Sequence, residues 1–155
     1  MFDLDEFKGI NDQYGHPTGD AALKSVAQLL AGALRPYDVC ARYAGDEFVI
    51  VLGDCDAAEA EAKRRELQLA ADRGPVDLGV ARVPLRLSAG CATFPSDGED
   101  YQSLLARADH RMYQDKAGRR DRRPRSELSS SRSVAIPVMP GTAVAPATMP
   151  GRDVA

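Results

Sequence analysis

The 155-residue sequence predicts an α+β domain in which helices pack on an antiparallel-rich sheet. Three observations lead there. An apolar stripe of helical period runs through residues 20–34. Two strand-like runs, VCARY and EFVIVL, stand almost back to back across a glycine. The elements then follow in the order strand, helix, hairpin, helix, strand, helix, ending near Gly118.

Taken in turn, MFDL reads as the end of a strand. DEFKGINDQYGHPTG, polar and glycine-bearing, reads as a mixture of helical turn and loop. A helix follows from Asp20 or Ala21 to about Leu34. Leu23, Val26, Ala27, Leu30, Ala33 and Leu34 share one face, and Pro36 ends it. Asp20 then stands where an N-cap would. The next two runs form a hairpin whose turn suits the two-residue type II′ form. Gly45 and Asp46 take its centre, flanked by Ala44 and Glu47. DAAEAEAKRRELQLAAD reads as a helix with Ala58, Ala62 and Leu69 inward. VDLGVARV and LRLSAGCATF read as strands, the second with Leu85, Leu87, Ala89 and Cys91 alternating. A last helix, from about Asp100 to Lys116, carries Leu104, Leu105, Ala108, Met112 and Tyr113 on its apolar side.

Composition excludes several classes. No apolar run approaches the ~18–20 residues of a membrane span, and no secretory signal follows Met1. A cytoplasmic domain is expected, whether or not its parent protein is anchored. Cys40, Cys55 and Cys91 have no metal-ligand spacing and read as reduced, buried thiols. Net charge is −3, but residues 1–118 carry −7, while residues 119–132 hold six arginines. That basic run lacks interleaved aromatics, so no nucleic-acid partner is expected. The domain is expected over residues 1–120. Residues 121–155, rich in Arg, Pro, Ser and Ala, are expected to form a disordered tail.

The acids carry the chemistry. Asp46 and Glu47 project from a hairpin turn, and Asp3 and Asp5 close the first strand. If that strand is central and next to the hairpin, Asp3 faces Asp46 across the sheet. Converging carboxylates call for a cation. Mg²⁺ takes oxygen ligands and shares them with substrate phosphates, and metals held by shared acids suit in-line displacement at phosphorus. The alternative from spacing alone is a pair of solvated acidic turns.

FDLDEFKGINDQYGHPTGD, RPYD, RYAGDEF, LSAG and ADHRMYQDK, in that order and spacing, resemble the GGDEF family of diguanylate cyclases over residues 1 to about 120. The resemblance implies a nucleotide-cyclase-like fold with a ferredoxin-like palm sheet. It implies a homodimer that joins two GTP into cyclic di-GMP and releases pyrophosphate twice, dependent on Mg²⁺ or Mn²⁺. Asp3, the Leu4 carbonyl and Asp46 would hold the metal. Asp46 would accept the proton of the attacking 3′-hydroxyl, Glu47 would support the site, and Lys8 would neutralise the triphosphate. Asn11 and Asp20 would read guanine, with Phe7 and His16 beside the substrate. Lys116 would reach the terminal phosphates together with Arg120 or Arg119, one residue standing between Lys116 and Gly118 where the family has two. Arg35 and Asp38 of RPYD, assisted by Arg42, would bind cyclic di-GMP as an inhibitor.

Two departures stand out. Ala44 replaces the first signature glycine. The family also has a helix and half a strand upstream of FDLD, so this chain reads as a fragment whose sensor domain lies elsewhere and whose first strand frays. A silent module that only binds cyclic di-GMP is the alternative function.

Overall fold

A computed structural model describes residues 1–121; the expected tail falls outside them except for Asp121, which ends the last helix. The elements run β1 (Phe2–Leu4), α1 (Phe7–Tyr14), α2 (His16–Gly32), β2 (Val39–Ala44), β3 (Glu47–Val51), α3 (Ala57–Ala71), β4 (Pro75–Asp77), β5 (Arg82–Pro84), β6 (Leu87–Ala89) and α4 (Tyr101–Asp121). β2, β3, β1 and β6 lie in that order in one sheet, every pair antiparallel. With the small β4–β5 hairpin set aside, this is the β-α-β-β-α-β order of a ferredoxin-like sheet, with α4 added. The expected fold class is the one observed.

Successive strand residues point to opposite faces, and this divides the molecule. Phe2, Leu4, Phe48, Leu87 and Ala89 enter the main core, where they meet Ile10, Leu23, Val26, Leu30, Leu67 and Ala71 from α1, α2 and α3. Met1 and Val49 point the other way, against Ala108 and Met112 of α4. β1 is anchored through Met1, the residue before it, contrary to the expected fraying. The Met1 ammonium donates to the Gly90 carbonyl at 2.8 Å, and the Gly90 N–H donates to the Met1 carbonyl at 3.0 Å. Those bonds continue the β1–β6 ladder by one pair.

Several local expectations are corrected. The polar stretch after β1 is helical almost throughout: α1 and α2 are separated only by Gly15, at φ +84°. Phe7, Ile10 and Tyr14 supply a narrow apolar stripe to the core, which the surrounding polar residues hide from a periodicity reading. α2 therefore starts at His16, and Asp20 lies inside it rather than capping it. α3 buries Ala60, Leu67, Gln68 and Ala71, leaving Ala58, Ala62 and Leu69 outside, Leu69 at 66% exposure. Leu67 and Leu69 stand two apart and cannot share one helical face, so two leucines among alanines left the phase open. VDLGVARV is not one strand. It folds back at Leu78–Gly79, where the Leu78 N–H donates to the Ala81 carbonyl at 2.9 Å and Gly79 takes φ +87°. LRLSAGCATF is strand only at Leu87–Ala89. α4 continues past Lys116 to Asp121, and Tyr113 is 71% exposed. The three cysteines are free and only half-buried, and burial pushes each thiol up.

Gly90 sets the distance between α4 and the sheet. A Cβ at that position would lie 2.0 Å from the Ala108 carbonyl oxygen and 2.3 Å from the Met112 nitrogen, both backbone atoms. Gly90→Ala should therefore push α4 away and cost about 1–3 kcal/mol, read as a lower urea midpoint. Gly32→Ala, at a helical position with nothing within 4 Å of the added methyl, should instead stabilise by about 0.4–1 kcal/mol.

Candidate active site

The register of β1 decides which acids meet. Asp3 pairs with Glu47 on β3 and with Ser88 on β6. The expected opposition of Asp3 and Asp46 is displaced by one residue. Asp46 belongs to the turn beyond β3, and its carbonyl accepts from the Leu4 N–H at 3.1 Å. Like Met1, Asp3 lies on the face that α4 covers, and it is only 7% exposed. Lys116 of α4 reaches it, Nζ to Oδ1 at 2.5 Å.

The charges around that pair are crowded. Burial, and then the charge of Asp3, push the Asp46 carboxyl above its ordinary range, against the pull of Lys116 and Arg42. Burial and then Asp3, Asp109 and Asp46 push Glu47 up as well, with Lys116 opposing. Asp5 is raised chiefly by burial, although Ser88 Oγ donates to its Oδ1 at 2.7 Å and Arg119 Nε lies 3.8 Å from its Oδ2. Ser88 went unnoticed as a site residue in the sequence, because it stands between two core positions in LSAG.

The turn itself follows from chemistry at two positions. Gly45 has φ +47°, and among described residues only Glu6 and Asp54 combine a side chain with positive φ. Positive φ at the first central residue but not the second is the sign pattern of a type II′ turn. β2 carries one extra residue before the turn, because Arg42 pairs with Phe48 while Ala44 pairs with Glu47, so Tyr43 bulges. Arg42 Nε donates to the Gly45 carbonyl at 2.7 Å and ties the turn down. Ala44 is the last residue of β2, where extended backbone accepts a Cβ.

The other named residues fall into three groups. Lys8 is exposed in the first turn of α1, whose opening N–H groups have no helical acceptor. Phe7 and Asn11 of the same helix press on Gly19 of α2. A Cβ there would come within 2.0 Å of Asn11 Oδ1 and 3.1 Å of Phe7 Cε2. His16 is exposed at the start of α2, and Asp20 lines a groove of about 450 Å³ with Leu23, Lys24, Arg42 and Phe48. A larger cavity of about 630 Å³ lies between the hairpin and the start of α4, but neither Asp3 nor Asp46 lines it. The convergence of the acids, rather than cavity size, marks the site.

In the second group, Arg119 Nη2 donates to both carboxylate oxygens of Asp72, at 2.8 and 2.7 Å, whereas Arg120 is exposed. In the third, Asp38 takes the Arg35 N–H at 3.0 Å and the Gly53 N–H at 3.2 Å, and Arg35 Nη1 donates to Tyr37 Oη at 3.1 Å. Arg42 is placed with the turn and the α2 groove rather than with Arg35 and Asp38.

Among the described residues, no group of three or more His, Cys, Asp or Glu side chains is arranged to hold a metal ion. The donors at hand are the carboxylates of Asp3 and Asp46 and the backbone carbonyl of Leu4, all oxygen. Mg²⁺ is bound through one or two carboxylates, with water and phosphate completing its shell, and this donor set fits that habit.

The diguanylate cyclase GGDEF domain family matches residues 1–122. Diguanylate cyclase A of Treponema denticola is 33% identical over 122 residues, a match covering 79% of this chain and 33% of that protein. The chain thus spans about a third of that relative's length. The GGDEF domain of YfiN (TpbB) from Pseudomonas aeruginosa superposes with a TM-score of 0.72 at 34% identity, covering 76% of this chain and 73% of that one. The GGDEF domain of DgcB from Caulobacter crescentus, solved with cyclic di-GMP, gives 0.69 at 29% identity, with 76% and 70% covered.

Lys116 pairs with Asp3 and opposes the crowding at both Asp46 and Glu47, which fixes the sign of a pH effect. Asp46 and Glu47 have folded pKa values above their unfolded ones. Their ionised forms therefore oppose folding above those values, and the opposition fades as pH falls through them. Lys116→Met should cost about 1–3 kcal/mol at about pH 8 and less at about pH 5, measured by urea titration at both. A loss independent of pH would deny the counter-ion role.

Proposed function

The chain belongs to the GGDEF domain family of diguanylate cyclases, and from that premise we propose that it condenses two GTP into cyclic di-GMP as a homodimer. Each subunit holds one GTP. The 3′-hydroxyl of each attacks the α-phosphate of the other, two P–O bonds form, and two pyrophosphates leave. The observation that carries this reading is the crowding of Asp3, Asp46 and Glu47 about one ammonium group at the rigid end of the hairpin.

Asp3, Asp46 and the Leu4 carbonyl would hold Mg²⁺ or Mn²⁺. Bound there, the ion would polarise the α-phosphate and lower the pKa of the attacking hydroxyl. Asp46 would accept the proton of the attacking hydroxyl. Glu47, directly across from Asp3, supplies further negative charge to the cation. The N–H groups opening α1, with Lys8, would receive phosphate oxygens. Lys116 and an arginine of the same helix, Arg120 or Arg119, would receive the outer phosphates.

Asn11 and Asp20 would read guanine, with Phe7 and His16 alongside. Guanine offers paired N1 and N2 donors that a carboxylate accepts and that adenine lacks. A helix-interior Asp20 has no capping duty, which leaves it available for that contact. No described helix is long and apolar enough to cross a membrane. Input from a sensor domain outside this sequence belongs to the same proposal.

Arg35 and Asp38 would bind cyclic di-GMP and limit turnover, without the expected help of Arg42, which is held at the turn. Hydrogen bonds of its own shape that loop, so it could also bind the dinucleotide with catalysis silent, a second reading.

Purified protein incubated with GTP and Mg²⁺ should yield cyclic di-GMP by chromatography. Asp46→Asn should lower the rate by more than about 100-fold. Arg35→Ala should leave the initial rate intact but abolish inhibition by added cyclic di-GMP. Wild type that makes no product yet binds the dinucleotide by calorimetry would establish the second reading.

A further inference from the structure

β6 is an edge strand, and its outward groups need partners. Met1 and Gly90 are mutually bonded, so the paired positions facing β1 are Gly90, Ser88 and Arg86; the Ala89 N–H and the Leu87 carbonyl therefore point away from the sheet. Side chains take them. The Ala89 N–H donates to Asp115 Oδ2 of α4 at 3.0 Å. Gln68 Nε2 of α3 donates to the Leu87 carbonyl at 2.9 Å and to the same Asp115 oxygen at 2.6 Å. Arg64 donates to Gln68 Oε1 and forks onto Glu61 at 2.6 and 2.7 Å, which fixes the amide's orientation. Gln68 is buried, and both hydrogens of its amide nitrogen are used.

We infer that Asp115 and Gln68 form a clamp that positions Lys116. One attachment cannot set a helix's rotation, but two can. Gly90 brings the backbone of Ala108 and Met112 against the sheet, and Asp115, one turn beyond Met112, is bonded to the edge strand. With height and rotation fixed there, the next residue, Lys116, is carried inward over β6 to Asp3 on β1. The clamp shares no residue with the acids, so it acts on them through the cations that α4 carries, Lys116 at Asp3 and Arg119 near Asp5. This inference rests on the cyclase reading for its consequence, but not for its geometry.

Three variants test it. The first readout is the ¹⁵N resonance of the Lys116 ammonium, sharp when its protons are held by Asp3 and broadened when they exchange with water. The second is affinity for Mg²⁺ with guanosine 5′-(α,β-methylene)triphosphate, whose carbon bridge blocks departure of the leaving group. Asp115→Ala should lose the resonance, as Lys116→Met does, and bind the analogue about 10-fold more weakly, the equivalent of one lost charge-assisted contact. Asp115→Asn, which keeps an acceptor for the Ala89 N–H, should recover most of both. If Asp115→Ala keeps the resonance and the affinity, Asp115 is merely structural and the inference is wrong, however much its melting temperature falls. Should Asp115→Ala fail to fold, Gln68→Met is read by the same criteria. If wild type does not bind the analogue at all, the cyclase reading fails, and the ammonium resonance alone decides the clamp.

Discussion

Three carboxylates meet at the turn end of the central sheet, and one ammonium group from 113 residues along the chain offsets them, with Arg42 assisting at Asp46. That imbalance is the constraint on which the arrangement depends. Removing charged groups from water is costly unless they are paired, and Asp3 is nearly enclosed. Burial, and then the charge of Asp3, leave Asp46 and Glu47 with raised pKa values, against the pull of Lys116 on both and of Arg42 on Asp46. Burial of these like charges weakens the fold at this point.

The sheet converts one sequence into two environments. β1 is only three residues long, yet it feeds both faces. Its even positions enter the main core, and its odd positions turn toward α4 and the acids. A one-residue slip would exchange the two sets, placing Asp3 among leucines. The large apolar residues of Phe2–Leu4 and Phe48 therefore hold the chemistry in register as well as contributing stability. α4 closes the acid face, and it can do so because Gly90 offers no side chain where the helix backbone passes.

Much of this was legible from residues. Leu23, Val26 and Leu30 at helical spacing, and a glycine between two strand-like runs, were enough to place α2 and the β2–β3 hairpin. The linked motifs around Asp3, Asp20, Arg35, Asp46 and Lys116 indicated the family. Other features were hidden for identifiable reasons. α1 carries too few apolar residues for its period to stand out. The bulge at Tyr43 leaves no compositional trace, yet it shifts the pairing before the turn. Gln68 and Asp115 look like surface residues of amphipathic helices until the open edge of β6 is known.

The sequence by itself determined the family, the order of the principal elements and the identity of the acids, because these depend on local spacing and residue type. Only the tertiary structure decided that Asp3 stands opposite Glu47 rather than Asp46, that Arg42 ties down the turn away from Arg35, and that Lys116 offsets Asp3. Those are pairings between distant segments. They are set by strand register and by the close approach of one helix to one glycine, and no local pattern encodes either.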